Sequence, residues 1–183
     1  MKKKQATSIN KLLGYLGAAL AIVAFVMIFL PQIVAVSTDA TYNGIAIAFG
    51  KPFDNSQIDL GGIIKYSRVI DFSFPNLLAY ILVTVGLVVL VLQAIGLFKG
   101  KLFTGIAALC LIAGGILFFF ALDFSTITVT GSAIGVGGTG TKKFSEYNTD
   151  SITTYKLGYA AITGGITAIC SGVFTLGKAV LSK

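Results

Sequence analysis

The sequence lacks histidine and tryptophan and contains only two cysteines among its 183 residues. Without histidine a Ser-His-Asp triad cannot be assembled, and zinc loses its usual nitrogen ligand. Cys110 and Cys170 lie inside apolar runs, so they provide neither a Cys-x-x-Cys pair nor a framework of loop disulfides. We therefore expect a protein that is not an enzyme and that holds no metal or other cofactor.

Charge is also scarce, since 11% of the residues are charged and 55% are hydrophobic, whereas a soluble domain has about 25% charged residues. A chain this apolar cannot hide its side chains in one small core, which indicates a membrane protein. The net charge of +7 would suit nucleic acid. However, the basic residues flank apolar runs instead of forming a stripe along a polar helix, so we expect a lipid bilayer and no nucleic acid as partner.

Four apolar segments are long enough to cross the hydrocarbon, which takes about 20 residues: 12–36, 76–97, 102–122 and 157–177. None has an acidic or basic residue in its interior. Two longer segments (37–75 and 123–156) and a short turn (98–101) join them, between a basic amino terminus (1–11) and a short carboxyl terminus (178–183). The predicted fold is therefore a mainly α membrane protein with a four-helix transmembrane bundle. The start also resembles a secretory signal, but its apolar run is too long for one, so we expect a retained helix.

Basic residues are distributed unequally between the two sides of this arrangement. The termini and the short turn carry eight lysines and no acidic residue, whereas the two longer segments carry six basic and seven acidic residues. The positive-inside rule then places both termini in the cytoplasm and both longer segments outside a plasma membrane.

The two longer segments contain alternating patterns that favour strands. Residues 126–130 and 133–136 alternate around Gly131 and Ser132, which predicts a β-hairpin. Residues 44–49 and 69–74 also alternate, and 151–155 are typical of another short strand. We expect a small antiparallel β-layer outside the bundle.

The glycine-rich stretch GVGGTGTKK (135–143) is close to a phosphate-binding loop, which requires G-x-x-x-x-G-K-[ST]. Thr141 separates Gly140 from Lys142, and the stretch lies on the predicted outer side, where nucleotide is scarce. We interpret it as a flexible loop tip.

Small residues recur along the fourth and first segments at steps of three and four, which places them on one stripe of each helix. Membrane helices associate through such residues because they let backbones approach closely. We predict a helix-packing seam on each of these two helices, with the two seams facing each other. The seam residues are Gly158, Ala161, Gly165, Ala168, Gly172 and Thr175 on the fourth helix and Gly14, Gly17, Ala21 and Ala24 on the first.

Hydroxyl side chains form a second stripe on the fourth helix at a spacing of four, at Thr163, Thr167, Ser171 and Thr175. They can donate to a carbonyl one turn back. The alternative is that Thr163, Thr167 and Ser171 line a hydrated path together with Gln93, a strongly polar side chain inside the second segment. Asp71 and Asp123 lie at predicted span boundaries, where such residues usually mark the start of water.

The plan of four spans, two cytoplasmic ends and a longer first outer segment with strands resembles the claudin and peripheral myelin protein group in topology only. The Trp-Gly-Leu-Trp stretch and the two loop cysteines of claudins are absent here. We expect a non-enzymatic structural or accessory subunit, or scaffold, that contacts other membrane proteins or itself. The alternative is a small pore or solute transporter.

Overall fold

The computed structural model describes residues 2–36, 39–52, 58–59, 64–98, 100–133, 136–146 and 154–181. Among these residues, four helices are long and apolar enough to cross a membrane: α1 (Lys2–Met27), α3 (Phe74–Ala94), α4 (Lys101–Phe118) and α6 (Tyr159–Leu181). Two short helices lie between them, α2 (Gly44–Phe49) and α5 (Ala121–Phe124). The prediction of a mostly helical chain with four apolar spans is confirmed.

Neighbouring long helices run antiparallel. Helix α6 packs between α1 and α4, and α4 also packs against α3. The first turns of α1 and α4 therefore lie at the same end of the bundle as the last turns of α3 and α6. We call this the lysine-rich end, because Lys11, Lys101 and Lys178 lie there. The opposite end, which carries the strands, is called the strand end.

Helix α1 ends at Met27, and the prediction of a first helix that continues to residue 36 is wrong. Pro31 has no N–H to donate and disfavours the helical conformation at the residue before it. Gln32 is fully buried, and its Nε2 donates to the Met27 carbonyl at 2.7 Å. The helix end is thus satisfied by a side chain, and the chain continues as a strand.

The other spans begin and end within a few residues of the predicted positions. Helix α3 begins at Phe74, where Ser73 caps it and Pro75 occupies the first turn, and it ends three residues before residue 97. Gly96, with φ of 82°, supplies the left-handed conformation that follows its last turn. Helix α4 stops at Phe118, and α5 follows as a separate turn.

Within the described ranges, eight short strands form two antiparallel sheets, which confirms the predicted small antiparallel layer. The three-stranded sheet has the order β2-β1-β8, and the five-stranded sheet has the order β3-β5-β6-β7, with β4 also paired to β5. Each sheet joins the two long inter-helix segments, through β1–β8 and β5–β6. The strands are β1 (Pro31–Ala35), β2 (Thr41–Asn43), β3 (Lys51–Pro52), β4 (Ile58–Asp59), β5 (Ile64–Ile70), β6 (Thr126–Ala133), β7 (Val136–Lys143) and β8 (Tyr155–Leu157).

The predicted hairpin turn at Gly131 and Ser132 is wrong, because both residues lie within β6. They pair with β5 on one side and with β7 on the other, and this double pairing keeps them extended. The connection to β7 falls at 134–135, outside the described residues. The interpretation of 135–143 as a flexible tip is also wrong, since 136–143 form β7. Of the strand predicted at 151–155, residues 151–153 lie outside the described residues, and β8 runs from Tyr155 to Leu157.

Residues 44–49 form helix α2, not the strand that their alternation favours. The Asn43 side chain accepts a hydrogen bond from the Ala46 N–H at 2.9 Å and so caps the helix. Gly44, Ile47 and Ala48 are the buried residues, at the spacing of a helix face. Glycine and alanine are small enough to fit both the two-residue repeat of a strand and the 3.6-residue repeat of a helix. Their alternation with larger residues therefore does not distinguish the two structures.

A buried polar cluster fixes the start of α3 to the chain that follows α5. Asn76 Nδ2 donates to Ser125 Oγ at 2.8 Å, and Ser125 Oγ donates to the Ala121 carbonyl at 2.7 Å. Ser73 Oγ donates to the Phe124 carbonyl at 2.7 Å. All three polar side chains are at most 4% exposed, so their hydrogen bonds replace those lost to water.

Substitution of Ser125 by alanine should destabilise the protein, because it leaves the buried Asn76 amide without its acceptor. We expect a loss of about 1–3 kcal/mol in the free energy of unfolding, measured in detergent micelles. The exposed Thr139→Ala variant is the control and should change stability by less than about 0.5 kcal/mol. Equal effects of the two substitutions would contradict the role assigned to the cluster.

Candidate functional site

The predicted seam residues lie inside the bundle. Nine of the ten are buried and Gly14 is half-buried. Ala21, Ala24, Ala161, Ala168 and Thr175 are completely inaccessible. The stripe on α6 therefore meets other parts of the same chain.

The middle of this stripe faces α4. A Cβ added to Gly172 would lie 2.8 Å from the Ala108 carbonyl oxygen, and one added to Gly165 would lie 3.0 Å from that of Gly115. Real Cβ atoms do not approach a carbonyl so closely without displacement. The two backbones can touch here only because α6 has glycine at both positions.

Helix α1 meets α6 along an adjacent line. Ser171 Oγ donates to the Gly17 carbonyl at 2.6 Å, and a Cβ on Gly17 would lie 3.0 Å from Thr175 Oγ1. Gly14 faces Lys178. The seams of α1 and α6 thus meet at Gly17, but Gly165 and Gly172 serve the contact with α4.

Gly158 has a different neighbour from the rest of the stripe. It lies one residue before α6, and a Cβ there would collide with the Pro31 carbonyl. Its N–H donates to the Gln32 carbonyl at 2.7 Å. Gly158 therefore joins the entry of α6 to β1 at the strand end and does not contribute to helix packing.

Sequence reasoning missed two further glycine contacts, which bring α3 and α4 together. A Cβ on Gly114 would lie 2.9 Å from the Ala79 carbonyl oxygen, and one on Gly86 would lie 3.1 Å from that of Ala107. Both glycines are buried. The signal that was available is glycine inside an apolar helix, since glycine is a poor helix former and is kept there where backbones must approach closely.

Of the four residues of the pore alternative, Gln93 and Ser171 lie at two different contacts between helices, whereas Thr167 bonds within its own helix. Gln93 Nε2 donates to Thr104 Oγ1 at 3.1 Å, between α3 and α4. Ser171 bonds α1, as described above. Thr167 Oγ1 donates to the carbonyl of Thr163 at 2.8 Å, one turn back on its own helix. These hydrogen bonds favour the packing interpretation, and the pore stays a prediction.

The two cysteines are free thiols. Cys170 is exposed on the surface of α6, and Cys110 is half-buried on α4. Among the described residues, no group of three or more histidine, cysteine or carboxylate side chains is placed to hold a metal ion.

One face of the five-stranded sheet is rich in hydroxyl groups. Thr126 Oγ1 and Thr128 Oγ1 both donate to Asp71 Oδ2, at 3.1 and 2.7 Å. Thr128 and Thr141 are linked across β6 and β7 at 2.9 Å. Asp71 therefore joins β6 to the end of β5, and this role is structural. It lies between β5 and α3, as its position at a predicted span boundary indicates.

Strand β7 forms an edge of this sheet. Within the described part of the chain it pairs only with β6. Residues 137–143 are all exposed, and a Cβ added to Gly138 or Gly140 would meet no atom within 4 Å. An edge of this kind presents backbone N–H and C=O groups that another extended chain can pair with.

No protein-family model matches the chain, and no curated protein matches its sequence.

The glycine contacts lead to a test with a matched control. Gly172→Ala places a Cβ against the Ala108 carbonyl, and we expect a loss of about 1–3 kcal/mol in stability. Gly105→Ala, in open space on α4, should be neutral or stabilising by up to about 1 kcal/mol, because alanine is the better helix former. Thermal unfolding in micelles measures both, and equal shifts in Tm would contradict the close approach of α4 and α6.

Proposed function

We propose that this chain is a non-enzymatic, multi-pass protein of the plasma membrane, a structural or accessory subunit that contacts a partner through its strand layer. The observation that carries the proposal is the exposed, glycine-rich edge of β7. The partner is another membrane protein or a second copy of the chain. In this proposal both termini are cytoplasmic and the strand end faces outward, an arrangement similar to that of claudins in topology only.

The bundle supports this role because most of the polar side chains that a pore would use are already hydrogen-bonded within the chain. Ser171, Thr175 and Thr167 each donate to a backbone carbonyl, and Gln93 bonds Thr104. Ser171 and Gln93 bond neighbouring helices and so hold them in place, whereas Thr167 and Thr175 bond carbonyls one turn back on their own helix. Groups bonded in either way are less available to a substrate. These hydrogen bonds favour a structural role for the bundle over a path for a transported solute.

The two sheets of the strand layer are also joined to each other. Phe144, which follows β7, is fully buried and packs edge-on against Tyr155 of β8, with ring centroids 4.7 Å apart. Tyr42 of β2 packs against the same Phe144 ring at 5.9 Å. Because these aromatic contacts link the two sheets, the edge of β7 is presented from a fixed base, which lowers the entropy cost of pairing with a partner.

The proposed orientation is tested by cysteine labelling in intact cells. After replacement of Cys110 and Cys170 by alanine, a membrane-impermeant maleimide should label Thr139→Cys and should not label Lys101→Cys until the cells are permeabilised. The positive-inside rule gives this direction. The reverse pattern would contradict it.

The contact role is tested by a photo-cross-linking amino acid at position 139, in native membranes. We expect a discrete protein adduct, whose mass identifies either a second copy or another subunit. The Gly138→Lys/Gly140→Lys variant should lower its yield about tenfold, because charged side chains protect an edge strand from pairing.

The matched control is Gly138→Ala/Gly140→Ala, which fits the same open space without adding charge and should keep the adduct. The same cross-linker at Val88, on the exposed surface of α3, should give lipid adducts only. If position 139 yields no protein adduct in native membranes, the proposed contact role is wrong.

A further inference from the structure

A groove of about 260 Å³ lies between α1 and α3, next to α2. Its walls are mainly apolar and include Phe25 from α1, Phe29 from the turn after α1, Ile45 and Phe49 from α2, and Ile81 and Val85 from α3. Tyr80 also lines it. The groove lies near the strand end of the two spans and is separate from the edge of β7.

This groove is continuous with the surface that the bundle presents to lipid. Phe29, Phe49 and Ile81 are 52%, 58% and 46% exposed. Two of its walls, α1 and α3, are helices apolar enough to cross a membrane. Whatever fills it must therefore be compatible with the hydrocarbon beside it, which favours an acyl chain over water or a polar solute.

Tyr80 adds a polar group to this apolar site. The residue is only 6% exposed, and its hydroxyl has no hydrogen-bond partner in the described part of the chain. The ring is held edge-on against Phe118, with centroids 5.4 Å apart. The hydroxyl oxygen itself is buried beside Gly44, so an acceptor reaches it only by displacing α2 locally. Because a buried hydroxyl without a partner is unfavourable, an occupant whose acceptor oxygen reaches it gains a hydrogen bond.

The depth of Tyr80 suits a lipid ester. Tyr80 lies six residues after the first residue of α3, about 9 Å along the helix at 1.5 Å per residue, and helical side chains lean back toward the amino end. Its hydroxyl lies beside Gly44, the first residue of α2, since a Cβ there would be 3.0 Å from that oxygen. The hydroxyl is thus close to the junction of the span and the strand end, the level at which the polar part of a lipid begins.

We propose that this groove is a binding site for a bilayer phospholipid, whose acyl chain lies between α1 and α3 and whose ester carbonyl accepts a hydrogen bond from Tyr80. Helix α2 covers the upper part of the chain through Ile45 and Phe49. The site needs no partner protein, so it stands independently of the function proposed above.

The position of the chain is tested with a phosphatidylcholine that carries a diazirine in one acyl chain, in nanodiscs containing the full-length protein. Peptide mass spectrometry should find labels concentrated on 25–29, 45–49 and 77–85, above the level on the exposed face of α6. Ile81→Trp should fill the groove and remove this excess. Val88→Trp, an equally exposed position of α3 outside the groove, should leave it. Uniform labelling around the bundle would overturn the site.

The role of the hydroxyl is tested by competition between diester and diether phosphatidylcholine of equal chain length. The wild-type protein should retain the diester lipid about three- to tenfold more strongly, the effect of one hydrogen bond. Tyr80→Phe should abolish this preference while keeping the ring and its contact with Phe118. Equal retention of both lipids by the wild-type protein would overturn the hydrogen bond, and thermal unfolding without lipid checks that the variant is folded.

Discussion

Close approach between backbones is the constraint on which the rest of this structure depends. Lipid does not drive helices together through the hydrophobic effect, so their association needs extensive van der Waals contact. At Gly172 and Gly165 the backbone of α6 touches the carbonyls of Ala108 and Gly115, where no other side chain fits. Helix α6 makes this contact on one side while it bonds Gly17 of α1 on the other, so one helix positions two neighbours.

The strand layer follows from that arrangement. Because α1 and α6 are antiparallel and close, the chain that leaves α1 and the chain that enters α6 emerge side by side. They pair as β1 and β8, with Gly158 against the Pro31 carbonyl. Gln32 ends α1 by bonding the Met27 carbonyl, and this sharp end is what directs β1 toward β8.

The sequence predicts the spans well because a run of about 20 apolar residues has few alternatives in water or lipid. It predicts the ends less well, since the end of α1 depends on Gln32 as well as on Pro31. It also predicts that Gly165 and Gly172 are packed, but a stripe on one helix does not reveal which neighbour it meets. The groove beside Tyr80 could not be predicted, because it requires α2, whose glycine and alanine residues fit both a helix and a strand.

Strand β7 is a second case in which the structure of a segment depends on its neighbours in the fold. Its glycines favour a flexible loop when the segment is considered alone, because glycine loses more conformational freedom on ordering than other residues. In the fold, β6 supplies a full register of backbone partners for β7, and this pairing offsets the cost. The scarcity of large side chains that made the segment look unstructured is also what leaves its outer edge accessible. The edge of β7, which the local sequence predicts poorly, is therefore the feature on which the proposed contact with another chain depends.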